Sequence, residues 1–458
     1  MNASLFLELV NKYFRLVVGK ITEKFNGGNT ESPMLHKTML TEEYSADLTW
    51  GSTELNHSVV AADVVALDSS LPLKSRGSVS QASGKLPKIG VKFRKGEKDI
   101  SDINVIQARR SINGGNDDSQ LVAKIFDDLP KCVKAIDVRK EIMFEQGLST
   151  GLTLVSDDTN DGTGIRVSFG YKTDNTFYAS AAVWGEEGYN PIEDIQQMFD
   201  KAREDSNTIG IVLISKPYFN LLRASVQAKK LVADFRGQIY TTTDNLSQPS
   251  RAAMLEALKD EYDAEFRIVD SSFKVENHDG SKTTVKPWEE ANIIGIPENV
   301  VGRLVYGTLA EETNPVNNVT YQKSGSHILL SKYSKTDPLE EFTAGQAICL
   351  PVIDGADGIY ILKADGTAVL SVSKKEVEFT AAADSTGIKV AVHSESAYTV
   401  AQTASTSWLT PTKSADGKYI TLTVTANTGS SKKTSTVTLT DADGNTATIS
   451  VTQDKPAS

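Results

Sequence analysis

Apolar residues in this chain follow two different periods, and the change from one to the other divides it. Through residues 4–25 they recur at spacings of three and four, at Phe6, Val10, Phe14, Val17, Ile21 and Phe25. That spacing predicts an amphipathic helix, stopped by Gly27 and Gly28. Residues 118–146 carry the longest helical pattern, with Leu121, Ile125, Phe126, Leu129, Val133, Ile136, Ile142 and Met143 on the buried side. Pro130 lies inside it and predicts a kink or a split, since proline removes an amide donor and clashes with the preceding turn. Residues 184–231 read as helix, buried strand and second helix. Asn190 and Pro191 open the first helix, Glu193 and Asp194 complement its dipole, and Ile192, Ile195, Met198, Phe199 and Ala202 share one face. The run 209–214 has no polar interruption and ends at Ser215, which predicts a strand covered on both faces before Pro217 restarts a helix. A helix over 250–263 and strands over 266–269, 291–296, 327–331 and 346–350 follow, so this part of the chain is α+β with a mixed sheet.

Near residue 371 the period shortens. Short alternating strands rich in Thr, Val, Ala and Ser continue to the end, with turn signals about every 8–12 residues, the pattern of an all-β sandwich. Residues 58–96 also alternate, and they hold Lys74, Arg76, Lys85, Lys88, Lys92, Arg94 and Lys95. They predict a long two-stranded hairpin with an exposed basic tip.

A length of 458 residues calls for two or three domains, and 39% hydrophobic with 23% charged residues supplies a sizeable core. The net charge of −11 argues against non-specific binding to a phosphate backbone. Cys132 and Cys349 are the only cysteines, so reduced, buried thiols are expected in place of a disulfide framework. No apolar run reaches the roughly 20 residues of a membrane span. Glu8 interrupts the run 5–10, which excludes a secretory signal and predicts assembly in a cytoplasm. The helix over 4–25 mixes Glu8 and Glu23 with Lys12, Arg15, Lys20 and Lys24, which favours a protein contact over a membrane surface.

Catalytic chemistry has no visible centre. His36, His57, His278, His327 and His393 are scattered, and no Walker loop, Gly-x-Ser-x-Gly elbow or dinucleotide fingerprint occurs. No catalytic, cofactor or metal residue is assigned and no cofactor is expected, although plentiful carboxylates leave a glycosidase pair open. Residues 157–164 resemble a calcium loop, but Thr159 and Ser168 stand where acidic ligands belong, so a polar turn is favoured.

At Trp184, Asn190-Pro191, the run 209–214 and the basic, aromatic helix after Pro217, the sequence resembles the major capsid protein E family of lambda-like tailed phages. Residues 291–312, an apolar strand followed by Gly302-Arg303-Leu304-Val305-Tyr306-Gly307, resemble the family's second landmark. The resemblance implies the tailed-phage major capsid fold: an N-terminal arm (1–57) packed on neighbouring subunits, then an extended loop and peripheral domain with a spine helix (58–183). An axial domain (184–325) follows, then return strands of the peripheral domain and a linker (326–370). It implies a non-enzymatic subunit of hexamers and pentamers in the shell of a virion, assembled in a bacterial host cytoplasm. Its partners would be portal and scaffolding proteins, with packaged DNA only in proximity. Lys74, Arg76, Lys85 and Lys88 become candidate subunit contacts.

Residues 371–454 resemble the BACON domain, an immunoglobulin-like module associated with carbohydrate binding. The likeness runs through Ser407-Trp408-Leu409, Pro411, the Asp416-Gly417 turn, the strand from Tyr419 to Asn427, and Ile449-Ser450-Val451-Thr452-Gln453. It implies a displayed domain that contacts host or mucin glycans, with Trp408, Tyr398 and Tyr419 as candidates. Trp408 fits either a sugar platform or a core residue, and its place at a strand start beside Leu409 favours the core. The competing reading is a secreted carbohydrate-binding protein or polysaccharide-degrading enzyme that carries such a module. The missing signal segment and the landmarks at Asn190-Pro191 and Gly302-Arg303-Leu304 count against it.

Overall fold

Pro130 splits the long helical pattern. Helix Ser119–Ile125 ends at Phe126, and helix Leu129–Thr150 begins with Pro130 in its first turn, where no amide partner is needed. The computed structural model describes residues 1–26, 34–51, 83–112, 118–155, 165–180, 182–238, 246–277, 280–366, 370–372, 376–394, 397–402, 407–414, 417, 419–441 and 446–456. One compact unit comprises Met1–Tyr171, Ser271–Trp288 and Glu298–Asp357, and a second comprises Lys172–Asp270, Glu289–Pro297 and Gly358–Ser458.

In the first unit helix Leu129–Thr150 packs on a six-stranded sheet, against strand Leu339–Ile353. The strand order is Leu40–Tyr44, Gly302–Gly307, Leu339–Ile353, Ile328–Thr336 and Thr320–Ser324, with Lys88–Lys95 alongside residues 341–348. Only Leu40–Tyr44 runs parallel to its neighbour; the other pairs are antiparallel. Gly345 lets the helix settle on the sheet, because a Cβ there would stand 2.8 Å from Cys132 Cβ. Val133, Ile136, Met143, Phe144 and Leu148 are buried.

Helix Leu7–Asn26 buries Phe6, Val10, Phe14, Val18 and Ile21 within its own chain. That apolar face is therefore occupied within the chain, and its phase puts Val18 inward and leaves Val17 half-buried. Tyr13 and Lys12 bond Asp118 at 2.5 and 3.2 Å, and the Thr22 and Ser324 hydroxyls lie 2.8 Å apart. Upstream, Asn2 pairs with Ser334, and the Leu5 amide donates to Glu341, which faces Lys332 at 3.5 Å in the dry interior.

The hairpin expected over 58–96 takes a different course where it is described. Strand Ser83–Lys85 pairs antiparallel with Thr49–Gly51, whereas Lys88–Lys95 joins the main sheet. The alternation of Ile89, Val91 and Phe93 explains this, since that strand packs against helix Leu129–Thr150. Lys74, Arg76 and the calcium-like segment 157–164 lie outside the described residues.

The second unit holds a five-stranded sheet in the order Thr176–Tyr178, Tyr360–Lys363, Asn292–Ile296, Ile211–Ser215 and Glu265–Val269. Ile211–Ser215 and Asn292–Ile296 are buried at every position. Helices Pro191–Glu204, Lys216–Ala224, Val226–Phe235 and Arg251–Tyr262 start at Asn190, Ser215, Ser225 and Ser250, whose side chains each accept an amide of the first turn. Ser225 thus divides the helix expected after Pro217 into two. Asp194, buried, accepts the Ser180 amide and Trp184 Nε1–H, both at 2.7 Å.

Sheet membership differs from the expected segments in two places. Strand Gly302–Gly307 lies in the first unit, so the 184–325 segment is not one domain, and Tyr360–Lys363, expected in a linker, is an inner strand of the second unit. Ile359 to Leu362 is a four-residue apolar run, long enough to form a strand. At the C-terminal end two four-stranded sheets share one core. One runs Leu370–Val372, Asp384–Ser394, Tyr419–Val424, Leu409–Lys413; the other runs Glu376–Phe379, Thr446–Gln453, Lys433–Asp441, Tyr398–Gln402. Val390, Ile420 and Leu422 of the first meet Val437, Leu439, Ile449 and Val451 of the second.

Gly302 has the least room of any glycine in the main sheet: a Cβ there would fall 2.0 Å from the Val352 carbonyl oxygen. Backbone cannot yield, so Gly302→Ala is expected to cost about 3 kcal/mol, the upper end of the overpacking range. Urea denaturation of the full chain measures it, and an unchanged midpoint would contradict the packing.

Candidate functional site

Lys85 and Lys88 stand on strands that pair with Thr49–Gly51 and Leu339–Ile353, and both of those flank Arg303. Strand Gly302–Gly307 aims the Arg303 guanidinium at Asp354, with Nε to Oδ2 at 2.7 Å and Nη2 to Oδ1 at 3.0 Å. Nη2 also donates to the Gly51 carbonyl at 2.8 Å, and Nη1 donates to Glu43. A planar fork satisfies three chain segments at once, which a lysine could not do. Beside it lies an open, mostly polar cleft of about 340 Å³, lined by Glu43 to Asp47, Thr49 to Gly51, Arg303 and Val305. The Asp47 carboxylate, held below its ordinary range by the Thr49 and Ser45 hydroxyls, closes that turn.

Of the candidate subunit contacts, Lys85 and Lys88 are exposed on the successive strands Ser83–Lys85 and Lys88–Lys95. Lys88 lies 3.9 Å from Glu311 of the same chain. The neighbouring cations are more committed. Lys92 sits 5.1 Å over the Phe342 ring, Arg94 bonds Glu340 at 2.9 Å, and Lys95 is buried between Asp127 and Asp128. This surface offers cations and a strand edge, chemistry suited to protein contact.

Two of the three candidate glycan contacts are core residues. Trp408 is 8% exposed and Tyr398 6%, both within the core shared by the two C-terminal sheets. Tyr398 donates to the Gly417 carbonyl at 2.8 Å, and Lys413 Nζ covers its ring at 3.7 Å. Neither presents a face on which a sugar could stack. An inward aromatic and a platform leave the same mark in an alternating strand, so sequence alone does not part them. Tyr419 stays half-buried, with Lys389 Nζ 4.7 Å from its ring.

Sequence reasoning passed over the polar face of helix Leu129–Thr150, where Asp137, Lys140, Glu141 and Glu145 are buried. Their helical spacing was the available signal, but it normally marks a solvated face. Both cysteines are buried, and burial pushes the Cys132 thiol up to about 12 and the Cys349 thiol up to about 11. Among the described residues no cluster of three or more His, Cys, Asp or Glu could hold a metal ion, and no helix is long and apolar enough to cross a membrane.

No curated protein matches the chain. Among solved structures, a phage-related protein from Bordetella bronchiseptica RB50 is 11% identical over 76% of this chain and 97% of its own, with a TM-score of 0.44. The mature capsid of bacteriophage PhiM1 is 10% identical over 73% of this chain and 88% of its own, at 0.34. A Bacteroides ovatus GH5 xyloglucanase is 26% identical over 19% of each chain, at 0.17. Those scores are too low to carry an assignment, which rests on the family match. That match, to the family described as Phage major capsid protein E, runs from residue 20 to residue 364 and takes in both sequence landmarks, so the chain belongs to this family.

Proposed function

We propose that the chain is the major capsid subunit of a lambda-like tailed phage. It self-associates into hexamers and pentamers that close as an icosahedral shell around double-stranded DNA. The family match over residues 20–364 carries this reading. The mechanism is burial and geometry, with many modest contacts summing to a stable shell. Assembly takes place in the bacterial host cytoplasm, with scaffolding and portal proteins as partners and the acidic balance of −11 keeping the DNA unbound. Lys74, Arg76, Lys85 and Lys88 contact neighbouring subunits. Residues 371–454 form an immunoglobulin-like, BACON-type domain displayed on the shell, where it contacts host or mucin glycans. The two sheets around one core support the domain class. With Trp408 and Tyr398 enclosed, glycan contact falls to Tyr419 and the loops at the ends of the sheets.

Negative-stain electron microscopy of the expressed full chain tests the shell reading. Closed shells or ring-shaped capsomers are expected; soluble monomers with hydrolytic activity would sink it. Deleting residues 371–458 is expected to preserve assembly while abolishing retention on a mucin column, and loss of assembly would make the domain structural cement. Within the domain, Trp408→Ala is expected to cost about 3–5 kcal/mol of stability through the cavity it leaves. Tyr419→Ala is expected to reduce mucin retention with the melting temperature unchanged. The reverse pattern would return the platform role to Trp408.

A further inference from the structure

Helix Leu129–Thr150 carries four charged residues into the interior of its unit. Asp137, Lys140, Glu141 and Glu145 are 3, 3, 2 and 1% exposed, and their spacing places them on one face. Lys140 Nζ meets Asp137 Oδ1 at 2.7 Å and His327 Nε2 at 3.0 Å, and Lys37 reaches Asp137 Oδ2 at 2.7 Å. Glu141 accepts the Leu35 amide at 2.5 Å, the His36 amide at 2.9 Å and the His36 ring Nδ1. It thereby caps helix Leu35–Met39, whose own N-cap residue, Met34, has no side-chain acceptor. One turn further along the same buried face, Glu145 receives the Ser271 hydroxyl.

We propose that Glu141 and Glu145 form a proton-operated latch on residues 34–44: the latch is closed while Glu145 carries a proton, and loss of that proton opens it. The shell reading is not needed for this, since every group lies within one unit of one chain. Burial pushes Glu145 up to about 8; the Ser271 bond opposes that, and the charge of Glu141 adds to it. At neutral pH Glu145 is thus protonated, beside a Glu141 carboxylate committed to the Leu35 and His36 amides. Once Glu145 ionises, two like charges stand one helical turn apart in a buried site, and hydration requires the capped segment to leave.

The rings packed around the pair hold one state near neutral pH. Burial pushes His36 down, and it pushes His327 down to about 3, so both rings are neutral near pH 7. Asp137 is held below its ordinary range by Lys140 and Lys37 against the opposing effect of burial. Cys349, on the facing strand, is pushed up to about 11, and Glu42 lies 3.8 Å beyond His327. Opening releases a proton, because Glu145 falls from about 8 towards its ordinary 4.5 once hydrated. Closure is fully favoured below that ordinary value, weakens by up to tenfold per unit as pH rises towards about 8, and levels off above.

Hydrogen–deuterium exchange of the full chain, read on peptides covering residues 34–44 and corrected for the base-catalysed intrinsic rate, tests the latch. Opening is expected to rise at least tenfold between about pH 6 and 8 and then to flatten. Glu145→Gln mimics the protonated carboxyl, so it should remove the rise and protect the segment at least tenfold better than wild type above about pH 8. A flat wild-type profile, or a Glu145→Gln profile with the wild-type slope, overturns the proposal. Should that variant fail to fold, Ser271→Ala decides. Loss of a donor to the ionised form must carry the levelling-off to higher pH, and an unmoved plateau overturns the proposal.

Discussion

Charges carried into the interior of the first unit must find partners there, and that requirement organises its chain path. A buried charge that loses its partner costs about 3–5 kcal/mol, more than most single contacts supply. The partners of Asp137, Lys140, Glu141 and Glu145 come from residues 36, 37, 271 and 327, far apart in sequence. Apolar packing of helix Leu129–Thr150 on strand Leu339–Ile353 positions the helix, while its polar face specifies which segments may close over it. The same logic recurs where Lys332 and Glu341, both fully buried, draw Ser4 and Leu5 onto the sheet. The N-terminal residues are tied in place by charge satisfaction as much as by the apolar stripe of helix Leu7–Asn26.

Local signals in the sequence were legible because their causes are local. Pro130 ended a helix, Ser215 and Ser250 began helices, and the unbroken apolar run ending at Ser215 became a strand buried on both faces. Partner choice was not legible, because it depends on residues hundreds of positions away. Lys88–Lys95 alternates as a free hairpin arm would, yet it pairs with residues 341–348. Gly302–Gly307 stood out as a landmark, but nothing in its own residues says that it lies beside Leu40–Tyr44. Trp408 could be read either way, and it lies in the core shared with Val437, Leu439 and Ile449 of the opposing sheet. The buried face of helix Leu129–Thr150 was the least legible feature, since Asp, Lys and Glu at helical spacing look the same whether water or protein lies opposite.

Membership of a capsid family reframes these internal ties. A subunit that buries one surface on several neighbours needs each segment presented in a fixed orientation before association, or the ordering cost falls on every contact. Arg303 serves that end: its fork joins Leu40–Tyr44, Thr49–Gly51 and Asp354, which ties the strand that pairs with Ser83–Lys85 to the main sheet. The cap supplied by Glu141 does the same for helix Leu35–Met39, directly before the strand that borders Gly302–Gly307. Both devices add polar ties to a stretch from Leu35 to Gly51 that also buries Met39 and Trp50.

The two units differ in how they meet a change of pH. In the second unit burial pushes the Asp194 carboxylate up to about 6 against the Ser180 and Trp184 donors. A raised acid contributes stability below its ordinary value of 3.8, loses that contribution as pH rises to about 6, and is constant beyond. Through the neutral range it is already ionised, with both oxygens bonded to donors that suit the charged form, so nothing there moves. Glu145 changes state across that same range, and its neighbour Glu141 holds a backbone cap. Proton sensitivity near neutrality therefore falls on the junction that carries residues 34–44, while the strands and caps around Asp194 keep one charge state throughout.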